Sequence, residues 1–435
     1  MRKKKPLHSC LIITLFLLLT PCRPELGCAA NTSSAIILNT SRPSVILPKN
    51  NLGAQDLAVI INDADPLSVK IGNYYQSRRG IPDANMIHVR FTPDTTVMSR
   101  EEFARIKAQV DAATPHQVQA FALTWAKPYR VDCMSITTAF AAGFDQKFCA
   151  QGCTTTQMSL YFNSTSVAPF SDFGLRPTMS LAGESFEEVK KLIDRGVQSD
   201  SSYPVGTGYL VDTSDQHRNV RAAEFEHLQK VLGGIVKLEH IKADSIENKT
   251  DVLFYFTGKT SVSGLSTNTF IPGAIADHLT STGGQLTDSS QMSSLRWLEA
   301  GATGSYGAVV EPCNYPAKFP NPGVLIAHYT SGQTLIESYW KSVAMPGQGI
   351  FIGEPLANPY GGSQSTHNNN VLTIQTYSLA PGCYTVLGAN SIVGPFQIMG
   401  RHVCVGLGRK EIKLRNVKNR YVKIVLETDE KGPRQ

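Results

Sequence analysis

The sequence predicts an α/β protein: a mostly parallel sheet with helices on both faces, followed by a small C-terminal β-sandwich. Three observations carry that expectation. From Leu57 onward, apolar runs of strand length alternate with segments whose apolar residues recur at helical spacing. The strand candidates are apolar almost throughout, as in parallel strands covered on both sides. Beyond residue 370 the pattern changes to short strand-like segments separated by turn residues.

Residues 57–61 form the first apolar run, and 66–79 follow with Leu67, Ile71, Tyr74 and Tyr75 at helical spacing. Gly80 stops that helix, and 87–91 resume as strand. Ser99 with Glu102 makes a capping box ahead of Phe103, Ile106 and Val110, and 118–124 is the third strand. Then come a helix at 186–193, a strand at 208–211, a helix at 220–232 and a strand at 252–257. Residues 271–279 read equally as helix or strand. Residues 292–300, 322–329 and 335–343 read as helices, with strands at 308–310 and 350–352. One excursion, 127–179, has no clear period and carries Cys133, Cys149 and Cys153; it reads as a disulfide-held flap.

The body thus spans 57–360, preceded by an extended lead-in at 31–56. The segment 361–370, made only of Gly, Ser, Thr, Gln, His and Asn, reads as a linker. Six short strands between 371 and 428 complete the sandwich.

Residues 1–30 read as a secretory signal peptide. Arg2, Lys3, Lys4 and Lys5 precede an apolar run at 11–19 and small residues at 27–30. The run is short of the roughly 20 residues of a membrane helix, so no transmembrane anchor is expected and the protein is assigned to the periplasm, envelope or exterior. Gly27-Cys28 leaves a lipoprotein as the alternative. The net charge of +6 comes from 41 basic and 35 acidic residues, and the leader supplies much of it. The basic residues near the C-terminus alternate with Ile412, Leu414, Val417 and Val422, as on a solvated strand face, so no nucleic-acid partner is implied.

Outside the leader six cysteines remain, an even set that makes disulfides the default in an exported protein. Cys383 and Cys404 are expected to pair, a closure contributing about 3 kcal/mol in the chain-entropy model. Cys149 and Cys153 are expected to pair locally, leaving Cys133 and Cys313 joined to each other or both free.

Several motifs carry a resemblance. Asn62-Asp63-Ala64-Asp65-Pro66-Leu67-Ser68, Arg78-Arg79-Gly80-Ile81-Pro82, Leu123-Thr124-Trp125, Gly301-Ala302-Thr303-Gly304 and Gly353-Glu354-Pro355-Leu356-Ala357-Asn358-Pro359-Tyr360 resemble an uncharacterised family of exported bacterial proteins over most of 57–360. More distantly, the order of elements resembles the gingipain and caspase-like cysteine peptidase clan, whose body precedes an immunoglobulin-like tail. That resemblance implies a His after one strand and a Cys after the next. The matching positions hold Gly258-Lys259 and Thr280-Ser281, so the dyad is degenerate or rebuilt from other side chains.

Candidates for a rebuilt site follow strand ends, where open α/β sheets place ligands. Cys313 would be a nucleophile if a histidine lowered its thiol pKa, and a bridged or buried thiol is the plain alternative. Asp277, His278 and Ser281 offer relay-type groups, though His278 and Ser281 share a face only on a helix. Glu311 sits beside Cys313, and Asp63, Asp212 and Glu354 are candidate metal ligands. The expectation is that one rim of the sheet collects Asp63, Asp212, Ser281, Glu311 and Cys313. The functions left open are a peptidase-type hydrolase, a non-enzymatic envelope or extracellular binding module, and a metal-dependent hydrolase using strand-end carboxylates. No cofactor is implied, and a peptide or an envelope component is the partner class in view.

Overall fold

The computed structural model describes residues 42–150 and 152–427. The leader expected at 1–30 and its cysteines lie outside the described residues. Within the lead-in, β1 (Ser44–Ile46) is extended. It is followed by β2 (Leu57–Asn62), α1 (Pro66–Arg79), β3 (Met86–Val89), β4 (Val97–Met98), α2 (Arg100–Ala113) and β5 (Ala120–Leu123). Every residue of β2 and β5 is buried, which fits parallel strands covered on both faces. Asp65 caps α1 through its side chain, Pro66 sits where no amide donor is needed, and Gly80 ends the helix in the left-handed region at φ +63°. Ser99 caps α2 by accepting from the Glu102 amide.

The excursion is more ordered than its composition implied. It contains β6 (Arg130–Val131), β7 (Met134–Ser135), α3 (Ile136–Ala142), α4 (Pro169–Phe173) and β8 (Thr178–Ser180). The three-residue β8 enters the central sheet between β5 and a later strand, and α3 buries Ile136, Ala139 and Phe140. The local pairing of Cys149 with Cys153 is not what forms. Cys149 sits in the same apolar cluster as Cys133 and bonds to it, while the more exposed Cys153 bonds to Cys313, 160 residues away.

The remaining body comprises α5 (Phe186–Ser199), β9 (Thr207–Asp212), α6 (Phe225–Leu232), β10 (Lys237–Lys242), β11 (Val252–Gly258), β12 (Phe270–Leu279), α7 (Leu295–Ala300), β13 (Gly304–Ala308), α8 (Pro322–Tyr329), α9 (Leu335–Ser342) and β14 (Gly349–Gly353). Residues 270–279 are therefore strand, not helix. β10, with charges at Lys237, Glu239 and Lys242, escapes an apolar pattern because it is an edge strand.

Ten strands form one sheet in the order β10-β9-β11-β12-β13-β14-β8-β5-β2-β3. All neighbours pair parallel except β13 and β14, which run antiparallel from Gly304 opposite Gly353 to Ala308 opposite Gly349. Helices α1, α5, α6, α8 and α9 feed the core on one face; α2, α3 and α7 cover the other.

The antiparallel seam decides the site. On its two sides the strands point in opposite directions, so the carboxyl ends of β2 and β14 lie on one rim and those of β9, β12 and β13 on the other.

The tail follows as β15 (Ser363–Asn368), β16 (Val371–Thr376), β17 (Gly382–Ala389), β18 (Gln397–Val405), β19 (Lys410–Arg415) and β20 (Tyr421–Leu426). They form two sheets, β1-β20-β17-β18 and β15-β16-β19. Both supply one apolar cluster: Leu372, Ile374 and Ile412 from one, Tyr384, Val386, Val422 and Ile424 from the other. Cys383 and Cys404 face each other across β17 and β18 and are bonded, as expected. The expected linker is instead mostly strand: β15 pairs with β16 through Asn369-Asn370, both at positive φ, a two-residue hairpin turn that asparagine tolerates.

Candidate functional site

The predicted candidates divide between the two rims. Asp63, in the turn after β2, meets His88 Nδ1 at 2.7 Å, and Glu354 follows β14 on the same side. Asp212, Ser281, Glu311 and Cys313 belong to the opposite rim, so the expectation of a single collecting rim fails. The failure has one cause, the reversal at β13/β14, which no periodicity in the sequence announces. A metal site built from Asp63, Asp212 and Glu354 is excluded by the same geometry. Among the described residues no group of three His, Cys, Asp or Glu side chains could hold a metal ion.

Glu354 is structural in its contacts. It is fully buried and accepts from Arg79 Nε at 2.9 Å and Tyr75 OH at 2.6 Å, while Arg79 reaches on to Asp200. Burial opposes the charge on Arg79, but the Glu354 carboxylate prevails and holds the guanidinium pKa above its ordinary value. A side chain at Gly196 would begin 2.6 Å from Glu354 Cγ, so that glycine makes room for the cluster. The Asn62 motif is likewise a corner: its amide donates to Phe91 O at 3.1 Å and accepts from the Ala64 and Phe91 amides.

On the other rim, adjacent residues of β12 point to opposite faces. Asp277 pairs at 2.7 Å with Arg221, itself held by Thr257 O and Pro320 O. Burial raises the Asp277 pKa and Arg221 counters it. His278 turns the other way. Its Nδ1 accepts from Trp297 Nε1 at 2.9 Å, which leaves Nε2 carrying the proton toward Met292 O at 3.1 Å. Burial pushes its pKa down to about 3. A relay of Asp277, His278 and Ser281 is therefore not assembled: both ring nitrogens of His278 are committed, and Asp277 lies across the sheet from it.

Cys313 is joined to Cys153 and carries no thiolate while that bond stands. Its backbone sits at φ +55°, and its amide donates to Glu311 Oε1 at 2.7 Å. Glu311 thus secures a turn.

Gly258-Lys259 and Thr280-Ser281, at the ends of β11 and β12, lie in a polar lattice. Gly258 passes so close to the loop after β9 that a Cβ would stand 1.9 Å from Arg218 O. Arg218 pairs with Asp215 at 3.1 Å and donates to Thr280 Oγ1 at 3.3 Å, and Thr280 donates to Gln291 Oε1 at 2.6 Å. Lys259 pairs with Asp244, which with two donors from Ser214 holds that carboxyl down to about 2. Asp212 accepts from Asn219 at 2.5 Å. Beside this lattice runs a groove of about 1090 Å³, between the loops after β11 and β12 and α7, lined by Thr260, Ser261, Ser289, Gln291, Met292 and Arg296 among others. Sequence reasoning missed Trp297, Arg221 and Gln291 as partners, since each meets its candidate through long-range packing.

No family model and no curated protein matches this chain. Two solved structures are similar to it in chain course. One, described as "Structure of Protease", is 12% identical, with 86% of this chain and 97% of that one covered and a TM-score of 0.38. The other, the complex of Porphyromonas gingivalis RgpB pro- and mature domains, is 10% identical, with 85% and 99% covered and a TM-score of 0.40.

Proposed function

We propose that this protein is an exported binding module whose body keeps a caspase-like sheet without a working dyad and receives an extended peptide in the groove beside β11 and β12. The observation that carries this reading is the bond between Cys313 and Cys153, which occupies the thiol the sequence offered as a nucleophile; among the described residues the other four cysteines are bridged as well. The short hydroxyl and amide side chains of the groove suit main-chain donors and acceptors of a peptide, at the strand ends where open sheets take ligands. Three disulfides, together with the leader expected from the sequence, support an oxidising compartment. Among the described residues no helix is long and apolar enough to cross a membrane. A thiol peptidase would need Cys313 released from its disulfide near a titrating histidine, and a metal-dependent hydrolase built on Asp63, Asp212 and Glu354 would need those carboxylates on one rim.

Alkylation of the native protein at neutral pH, followed by non-reducing peptide mapping, tests the reading. Cys313 is expected to stay unlabelled and to appear in a peptide cross-linked to Cys153, with no cleavage of a peptide substrate pool. A labelled Cys313 together with peptide cleavage would return the protein to the thiol hydrolases. For the groove, Thr260→Trp should abolish retention on a peptide array that the unmodified protein binds.

A further inference from the structure

A second cleft, of about 280 Å³, opens where the body meets the tail, away from the groove. Its lining includes Tyr203, Tyr360, Tyr377, Gln364, Lys237 and Arg409. Tyr360 is buried and forms the floor. Tyr377 stands edge-on to it at 5.0 Å between ring centroids, and Tyr203 stands edge-on to Tyr377 at 5.1 Å.

The loop that presents Tyr203 is held in an unfavourable backbone. Ser201 and Tyr203 have φ of +54° and +50°, a left-handed region unfavourable for a bulky L-residue. Their amides are fixed by Asn358 O at 2.9 Å and Pro359 O at 3.0 Å, and Tyr203 OH donates to Gly362 O at 3.0 Å. Strain of this kind persists only where the surroundings enforce it, and it gathers at ligand sites.

Two cations line the cleft, Lys237 and Arg409, and Lys410 lies behind Tyr377 with its ammonium on Tyr377 O. Lys237 is engaged with Glu239 at 2.6 Å. Arg409 forms no ion pair among the described residues; its guanidinium donates to the Gln375 side-chain carbonyl, and the nearby Glu411 is paired with Lys413 at 2.8 Å. Tyr faces, a side-chain amide and a guanidinium with no carboxylate in direct contact match a ring with a flat apolar face, several hydroxyls and a carboxylate.

We propose that this cleft is a binding site for an acidic oligosaccharide, with a sugar ring against Tyr377 and Tyr203 and its carboxylate on Arg409. Calorimetric titration of the full chain with a galacturonate tetrasaccharide, its methyl ester and tetraglutamate tests the assignment. The uronate is expected to bind, and the ester and the acidic peptide to bind at least about tenfold more weakly. Arg409→Gln and Tyr377→Ala should each weaken uronate binding by about tenfold, with Tyr377→Phe near the unmodified protein. Unchanged unfolding midpoints in the variants separate lost contacts from lost structure. Absence of uronate binding, equal binding of tetraglutamate, or retention of affinity in either Arg409→Gln or Tyr377→Ala overturns the proposal.

Discussion

Replacing Glu354 by Gln is expected to destabilise the body by about 3–5 kcal/mol, the usual cost of leaving one charge of a buried pair uncompensated. The side chains of Arg79 and Glu354 are 8% and 0% exposed, so solvent cannot take over the partner's role. Asp200, at the outer side of Arg79, retains part of the guanidinium's compensation. Tyr75 OH would meet an amide in place of the carboxylate it donates to at 2.6 Å. Urea unfolding checks the magnitude. The double variant Arg79→Met with Glu354→Leu should recover a large part of the loss, because removing both charges removes the desolvation penalty along with the attraction. A single variant within about 1 kcal/mol of the unmodified protein would show the cluster to be dispensable.

Stability should rise, not fall, as pH goes from about 8 toward 9.5. Lys341 is fully buried on α9, its ammonium donating to Ser166 O at 2.8 Å and Gln333 Oε1 at 2.9 Å, and burial pushes its pKa down to about 8 against the pull of Glu337. Lys410, donating to Tyr377 O at 3.1 Å, is likewise lowered to about 8 by burial. An unfolded lysine titrates near 10.4, so above pH 8 the unfolded chain holds protons that the folded chain has released, and ΔG of unfolding climbs with pH. Below pH 8 the full cost of the buried charge is present. The gain for Lys341 is about 2 kcal/mol over that window. Above it, buried tyrosines such as Tyr75 and Tyr329, whose pKa values burial raises well beyond the ordinary, reverse the trend. Urea midpoints at three pH values measure the slope, and Lys341→Met should reduce it. A flat or falling profile between pH 8 and 9.5 would contradict the buried state of these ammonium groups.

Much of the architecture was legible because it rests on local physics. The helix at 66–79 ends where Pro66, Asp65 and Gly80 say it should, and the fully apolar runs of β2 and β11 announce parallel strands. The elements missed are those whose stability is not local. β8 is three residues long and is specified by its neighbours in the sheet, β10 is a charged edge, and β15 is a polar strand held by a hairpin turn. The site was read less well for the same reason. Cys313, His278 and Asp277 sit where strand ends were expected, but their partners Cys153, Trp297 and Arg221 lie 160, 19 and 56 positions away in the chain, and one reversed strand pairing moves Asp63 and Glu354 to the far rim. The motif residues around Asn62, Arg79 and Glu354 hold the scaffold together through buried and part-buried hydrogen bonds.

The pairing of β1 with β20 has a consequence for the order of assembly. Ser44–Ile46 lies parallel against Tyr421–Lys423, so this strand waits until the whole body has followed it before it has a neighbour. The tail sheet can finish only after the entire body has been synthesised, and its contacts are among the most distant in sequence that the chain makes. Truncations that spare the body but remove β20 should therefore leave Ser44–Ile46 without its neighbour as well, so that β1 and β20 lock in a single closing step.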